Sequence, residues 1–109
     1  MWVNEYGGWV YILASRRNGT LYTGVTNDLI SRVVAHREGV GSKFTRKYGV
    51  TWLVWHEFHA RIEDAIQRET SIKRWPRKWK LELIENGNPD WQDLYEVLTA
   101  TPPLPDWAQ

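Results

Sequence analysis

The chain has 109 residues, 42% hydrophobic and 25% charged, which suits a single globular domain over residues 1–98 and excludes wholesale disorder. Cysteine is absent, which excludes a disulfide framework, a thiolate zinc site and a cysteine nucleophile, and no apolar run reaches the ~18–20 residues of a membrane span. Residues 1–5 lack the basic and apolar parts of a secretion signal, so a soluble cytoplasmic protein without a membrane partner is expected.

The net charge of +1 conceals an asymmetry. Residues 1–81 carry all 14 Lys and Arg against seven acids, and residues 82–109 carry six acids and no base. A basic body with an acidic end is a reason to consider polyanionic partners. Eight tryptophans are many for this length. Several are expected in the core, so they are not by themselves a sign of base stacking.

Residues 9–14 form a dense apolar and aromatic run that reads as a strand. Asn18-Gly19 supplies a turn that accepts positive φ, and residues 20–26 return as a second strand. A helix is expected from Asp28 to about Glu38, capped by Asn27 or Asp28 and stopped by Gly39. Its apolar stripe is Leu29 and Val33, with Ile30 and Val34 beside them, while Arg32 and His36 share another face. Residues 41–49 read as a basic connector between glycines and residues 51–59 as a third strand. A second helix covers 62–74, and Pro76 opens a third that runs to Asn86-Gly87. Asn88-Pro89-Asp90 is a turn before a short amphipathic piece over 91–98, and the proline-rich residues 99–109 are expected to form a flexible tail. A short hairpin joins only antiparallel strands, so the order of elements points to an α+β fold: a small three-stranded sheet flanked by helices.

Ile62, Ala65, Ile66 and Glu69 fall at i, i+3, i+4 and i+7, which brings Glu69 onto the face that meets the core. An unpaired carboxylate there is costly, so Glu69 needs a cation, either an arginine or a metal. Tyr11 and Tyr22 lie on opposite arms of the hairpin, and any register pairing odd with even positions puts both hydroxyls on one face. Gly24, inside a strand, marks a close approach to the backbone; alternatively, these are two packing tyrosines and a bulge glycine. Residues 72–80 set five cations around Trp75 and Trp79, either a solvated face or a surface that tracks a nucleic-acid backbone. His56 and His59, three apart on a strand, face opposite sides and read as structural.

Trp9-Val10-Tyr11, ten residues, then Tyr22-Thr23-Gly24, Asn27-Asp28-Leu29 and Arg32-x-x-x-His36 together resemble the GIY-YIG nuclease domain. The likeness is greatest to its small stand-alone members, which are related to the nuclease half of a larger excinuclease. It continues through residues 43–49, Ala65-Ile66-x-Arg68-Glu69, Ile72-Lys73 and Asn88-Pro89-x-Trp91-x-Asp93-Leu94, covering about residues 8–95. Trp9 stands in place of the first Gly of the motif and Thr23 in place of the middle Ile, both at backbone or packing positions.

The resemblance implies a three-stranded antiparallel sheet and a metal-dependent endonuclease. Such an enzyme hydrolyses phosphodiester bonds, in DNA first and in RNA or branched DNA as other candidates. Glu69 matches the metal ligand for Mg²⁺ or Mn²⁺, Arg32 the arginine on the scissile phosphate, and Tyr11 the tyrosine that accepts a proton from the attacking water. A free phenol has pKa ~10, so that role needs nearby positive charge or a hydrogen-bond relay. Tyr22 matches the second tyrosine, with His36 and Lys43 as auxiliaries and Asn88 as a positioning asparagine. Gly24, Lys43, Arg46, Lys47, Lys73, Arg74, Arg77 and Lys78 are expected along the nucleic-acid face. The alternatives are a nucleic-acid-binding module of the same fold that does not cut, and an interaction domain that keeps the fold alone.

Overall fold

The computed structural model describes residues 7–100 and Trp107. Eight elements follow in order: β1 (Gly8–Ala14), β2 (Leu21–Thr26), α1 (Leu29–Arg37), α2 (Lys43–Tyr48), β3 (Trp52–His59), α3 (Ile62–Lys73), α4 (Arg77–Gly87) and α5 (Leu94–Thr99). The strands form one antiparallel sheet in the order β2-β1-β3. The architecture is α+β, as the sequence indicates. The expected tail over 99–109 falls largely outside the described residues, and Thr99 ends α5.

The central strand explains its own sequence. Val10, Ile12 and Ala14 face one core with Ala65 and Ile72 of α3, Ile84 of α4 and Trp91. Tyr11 and Leu13 face a second core with Leu29 and Val33 of α1, Val50 and Leu53. A strand buried on both faces has no polar side to alternate, hence the unbroken apolar run. A β-bulge between Ile12 and Leu13 shifts the β3 pairing from Trp55 to Leu53. Val54 is the extra residue; it and Trp55 join the first core while Leu53 joins the second.

Local signals set the ends of the elements. Asn18, rather than Gly19, takes the left-handed φ of 58° in the hairpin turn. Asp28, of the two expected caps, accepts the Ser31 N–H at 3.2 Å. Within α1, Leu29 and Val33 are buried, whereas Ile30 is 38% exposed and lies off the core. The basic connector expected at 41–49 is instead the helix α2. Ser42 caps its start by accepting the Thr45 N–H at 3.0 Å, and Gly49 closes it at φ +62°. These two caps bracket six residues whose charges all point to solvent, so nothing opposes the turn.

The acidic C-terminal segment is tied down by specific bonds. Asp93 caps α5, accepts the Leu53 N–H at 3.2 Å and pairs with Arg37 at 2.7 Å. The buried Asn88 donates to the carbonyls of Val54 at the bulge (3.2 Å) and Gln92 (2.9 Å), and accepts the Gln92 N–H at 2.9 Å. The candidate positioning asparagine therefore has its amide engaged inside the molecule. Asn88→Ala leaves the bulge carbonyl without its side-chain donor and should cost about 2–3 kcal/mol. The check is urea unfolding, in which the midpoint falls and the slope is unchanged.

Candidate active site

Tyr11 pairs with Gly24 and Leu13 with Tyr22, so the two tyrosines share a face of the sheet, as expected, with ring centroids 6.3 Å apart. A Cβ on Gly24 would lie 2.4 Å from both Cζ and Oη of Tyr11. The close approach anticipated at this glycine is made by the Tyr11 ring. His36 reaches the pair from α1, its ring 5.8 Å from Tyr11 and 5.3 Å from Tyr22. A Cβ on Gly41 would stand 2.3 Å from its Nδ1. Two glycines thus make room for the two rings.

Tyr11 Oη and His36 Nε2 are 3.0 Å apart, and His36 Nδ1 lies 3.0 Å from Thr45 Oγ1. Thr45 Oγ1 is 3.2 Å from the Ser42 carbonyl and 2.9 Å from Ser42 Oγ. Tyr11, His36 and Thr45 are at most 2% exposed. The single Thr45 hydroxyl proton goes to the Ser42 carbonyl, so Thr45 accepts from the imidazole, and this network assigns the proton order. Tyr11 donates to Nε2, Nδ1–H donates to Thr45, and Thr45 donates to the Ser42 carbonyl. Burial, and then Arg32, push the His36 pKa below its ordinary 6.5, so the ring is neutral and Nε2 is a free acceptor. Burial pushes the Tyr11 phenol well above the usual tyrosine range; Tyr22 and Glu69 act in the same direction and Arg32 opposes them.

Arg32 and Glu69 therefore both act on the Tyr11 hydroxyl from separate helices. Arg32 is exposed on α1 and lines a groove of about 270 Å³ with Thr26, Asn27, Asp28, Ser31 and Ala35. On α3 the buried stripe is Ala65 and Ile72 with half-buried Ile62, whereas Ile66, expected inside, is 48% exposed. The Glu69 side chain is 12% exposed, and Oε2 sits 2.7 Å from Nζ of Lys73 one turn on. Within the protein the cation beside Glu69 is thus a lysine, where an arginine was the protein partner expected. Among the described residues no three His, Cys, Asp or Glu cluster to hold an ion. A divalent cation at Glu69 would rest on one carboxylate, with waters and substrate oxygens completing its shell, which is how Mg²⁺ prefers to bind.

Lys43, Arg46 and Lys47 are exposed on α2, and α2 touches the tyrosines through Phe44, 6.0 Å from Tyr22. Arg74 and Lys78 are exposed at the α3–α4 junction. Arg77 is held by the hairpin turn, donating to the carbonyls of Asn18 at 2.8 Å and Gly19 at 2.7 Å. His56 packs on Trp9, while His59 contacts Glu57, which also binds Arg68 at 3.0 Å. Sequence reasoning missed Ser42 and Thr45, the anchors of His36. Their signal was a serine three residues ahead of a threonine, just after the glycine that clears the imidazole.

Residues 7–82 match the family model described as the GIY-YIG catalytic domain. The chain is 44% identical over 78 residues to a UPF0213 protein of Clostridium perfringens (strain 13 / Type A), covering 72% of this chain and 83% of that protein. A UPF0213 protein of Staphylococcus epidermidis is 37% identical over 78 residues, with 72% of this chain and 94% of that one covered. The solution NMR structure of a UPF0213 protein from Bacillus halodurans is similar to this fold at a TM-score of 0.51 and 30% identity, over 87% of this chain and 99% of that chain.

The depressed His36 pKa has a consequence for stability. The unfolded imidazole takes a proton near pH 6.5 and the folded one only below that. Stability is therefore full above about pH 6.5 and falls as the pH drops toward the folded pKa. His56, also depressed by burial, contributes in the same direction. Urea midpoints measured from pH 7.5 down to pH 5 should decline in the natural protein and decline less in His36→Gln.

Proposed function

The chain belongs to the GIY-YIG catalytic domain family, a nuclease family, and from that premise we propose that it hydrolyses phosphodiester bonds in nucleic acid, DNA foremost, with Mg²⁺ or Mn²⁺. The observation that carries this reading is the 3.0 Å contact between Tyr11 and a neutral His36, beside the charges of Arg32 and Glu69. A buried phenol with a raised pKa is a poor base by itself. Hydrogen-bonded to an imidazole lone pair, it can pass its own proton to Nε2 as it takes one from the attacking water. Thr45 holds the opposite nitrogen, so the imidazole stays aimed through the transfer.

Arg32 would grip the non-bridging oxygens of the scissile phosphate, from an exposed position that polymeric substrate can reach. Glu69 would hold the divalent cation, which when bound supplies charge stabilisation at the leaving oxygen. Lys73 neutralises Glu69 until then. Its side chain is 53% exposed, so the ion pair is weak and readily exchanged. Exposed Lys43, Arg46, Lys47, Arg74 and Lys78 extend the basic surface on either side.

Glu69→Gln, Arg32→Ala and Tyr11→Phe should each lower cleavage of a labelled oligonucleotide in Mn²⁺ by ~10²–10³-fold, with circular dichroism unchanged. Cleavage by Glu69→Gln at the natural rate would remove the metal role. A protein that holds nucleic acid equally well in chelator and leaves it intact in Mn²⁺ is a binding module of the same fold.

Lys73 gives a test without substrate. Calorimetric titration with Mn²⁺ alone should show Lys73→Met binding the ion up to about fivefold more tightly than the natural protein, since it removes a competitor worth at most ~1 kcal/mol. Equal affinity would mean that Lys73 and the ion do not share the carboxylate.

A further inference from the structure

Three residue rows cross the tyrosine face of the sheet: Tyr22–Leu13–Leu53, Gly24–Tyr11–His56 and Thr26–Trp9–Phe58. In the first, Leu13 and Leu53 are buried with Leu29 and Val33 of α1, and half-buried Tyr22 packs against them. In the third, Thr26 is buried, but Phe58 is 51% exposed and Trp9 is half-buried. Trp9 lies 5.0 Å from Phe58, centroid to centroid, with the planes tilted by 60°, and meets His56 edge-on at 5.6 Å. Single exposed apolar residues need no explanation, but here Trp9 adjoins both Phe58 and, in the Tyr11 row, His56.

Position and charge identify the occupant. Thr26, the cross-strand partner of Trp9, also lines the groove that holds Arg32. Trp9 stands two residues from Tyr11 along β1, about 6.6 Å, which is the order of one nucleotide step in an extended strand. The nine residues of the three rows include no carboxylate. Glu57, the acid of the sheet, alternates to the opposite face and is engaged by His59 and Arg68. An aromatic shelf whose strand rows hold no carboxylate, one step along β1 from Tyr11 and bordering the Arg32 groove through Thr26, suits a nucleobase whose backbone runs on into that groove.

We propose that Trp9 and Phe58 form a stacking shelf for an unpaired nucleobase one step along β1 from Tyr11, flanking the phosphate placed at Arg32, so that the substrate is a strand unpaired at the cleavage point rather than an intact duplex. A base inside a duplex keeps its faces on its neighbours and cannot use the shelf. The placement of the phosphate rests on the nuclease reading above, but the stacking test does not.

The test uses the full chain in chelator, where no cleavage occurs. Fluorescence anisotropy compares a short labelled single strand with a hairpin duplex of the same composition, and 2-aminopurine in the strand reports stacking by its quenching. The natural protein should bind the strand more tightly than the duplex and quench the probe. Phe58→Ala and Trp9→Ala should each weaken strand binding about tenfold, within the range for one stacked base, and leave duplex binding unchanged. Trp9→Phe should retain most of the strand affinity. Phe58 is exposed, so Phe58→Ala keeps the test valid even if Trp9→Ala unfolds. Equal affinity of the natural protein for strand and duplex, or full strand affinity and quenching in Phe58→Ala, overturns the shelf. Shelf-dependent strand binding without cleavage in Mn²⁺ upholds the shelf and defeats the hydrolysis reading. Cleavage with no strand preference defeats the shelf alone.

Discussion

A buried hydrogen bond between a phenol and an imidazole is the point about which this molecule is arranged. Tyr11 and His36 are both almost wholly buried, so each finds its partner within the protein, and an unmet group of this kind costs about 1–3 kcal/mol. The sequence around them makes the contact feasible. Gly24 yields its side-chain space to the Tyr11 ring and Gly41 yields its own to the imidazole. The cap of α2 brings Thr45 to the far nitrogen. A short helix, two glycines and the hairpin register thus serve one contact.

The sheet divides the work of the two cores. Behind it, α3 and α4 pack Ala65, Ile72 and Ile84 onto Val10 and Ile12, an arrangement that needs little beyond apolar volume. In front of it, the same strand presents Trp9, Tyr11 and Leu13, and α1 brings Arg32 and His36 to them. Glu69 departs from this division, a carboxylate on the packing helix whose charge reaches Tyr11. Its 2.7 Å bond to Lys73 meets its charge without closing it off, because the lysine end is largely in water. The acidic C-terminal segment serves the fold, through Asp93 on Arg37 and Glu85 on the Trp91 indole N–H at 2.9 Å. The opposing charges of the two ends meet directly where Arg37 pairs with Asp93, and exposed Lys and Arg remain on α2 and around the α3–α4 junction among other places.

Much of this was legible in the chain. The periodicity of residues 9–14 and 20–26 and the Asn18-Gly19 turn specify the hairpin, and odd-to-even pairing puts Tyr11 and Tyr22 together whatever the exact register. Glu69 stood out because a carboxylate at a core-facing position demands a cation. Which cation was not legible, since arginine, lysine and metal meet the same need and the choice depends on reach in three dimensions. Ile66 was misplaced because a 100° helical step leaves two adjacent stripes open and only the tilt of α3 on the sheet chooses between them. The α2 helix was hidden by its charges, although Ser42 and Gly49 marked both its ends. Arg77 could not be separated from its neighbouring cations by sequence, because its role depends on a hairpin turn some 58 residues away in the chain. The Trp9–Phe58 contact needed the β1–β3 pairing, which no local pattern supplies.

The central claim is that a neutral His36 accepts the Tyr11 proton. Nitrogen-15 NMR of the histidine rings at pH 7 measures this directly. His36 should show a protonated Nδ1 and an unprotonated, hydrogen-bonded Nε2 whose shift changes in Tyr11→Phe. A proton on Nε2, or an imidazolium at that pH, would contradict the account.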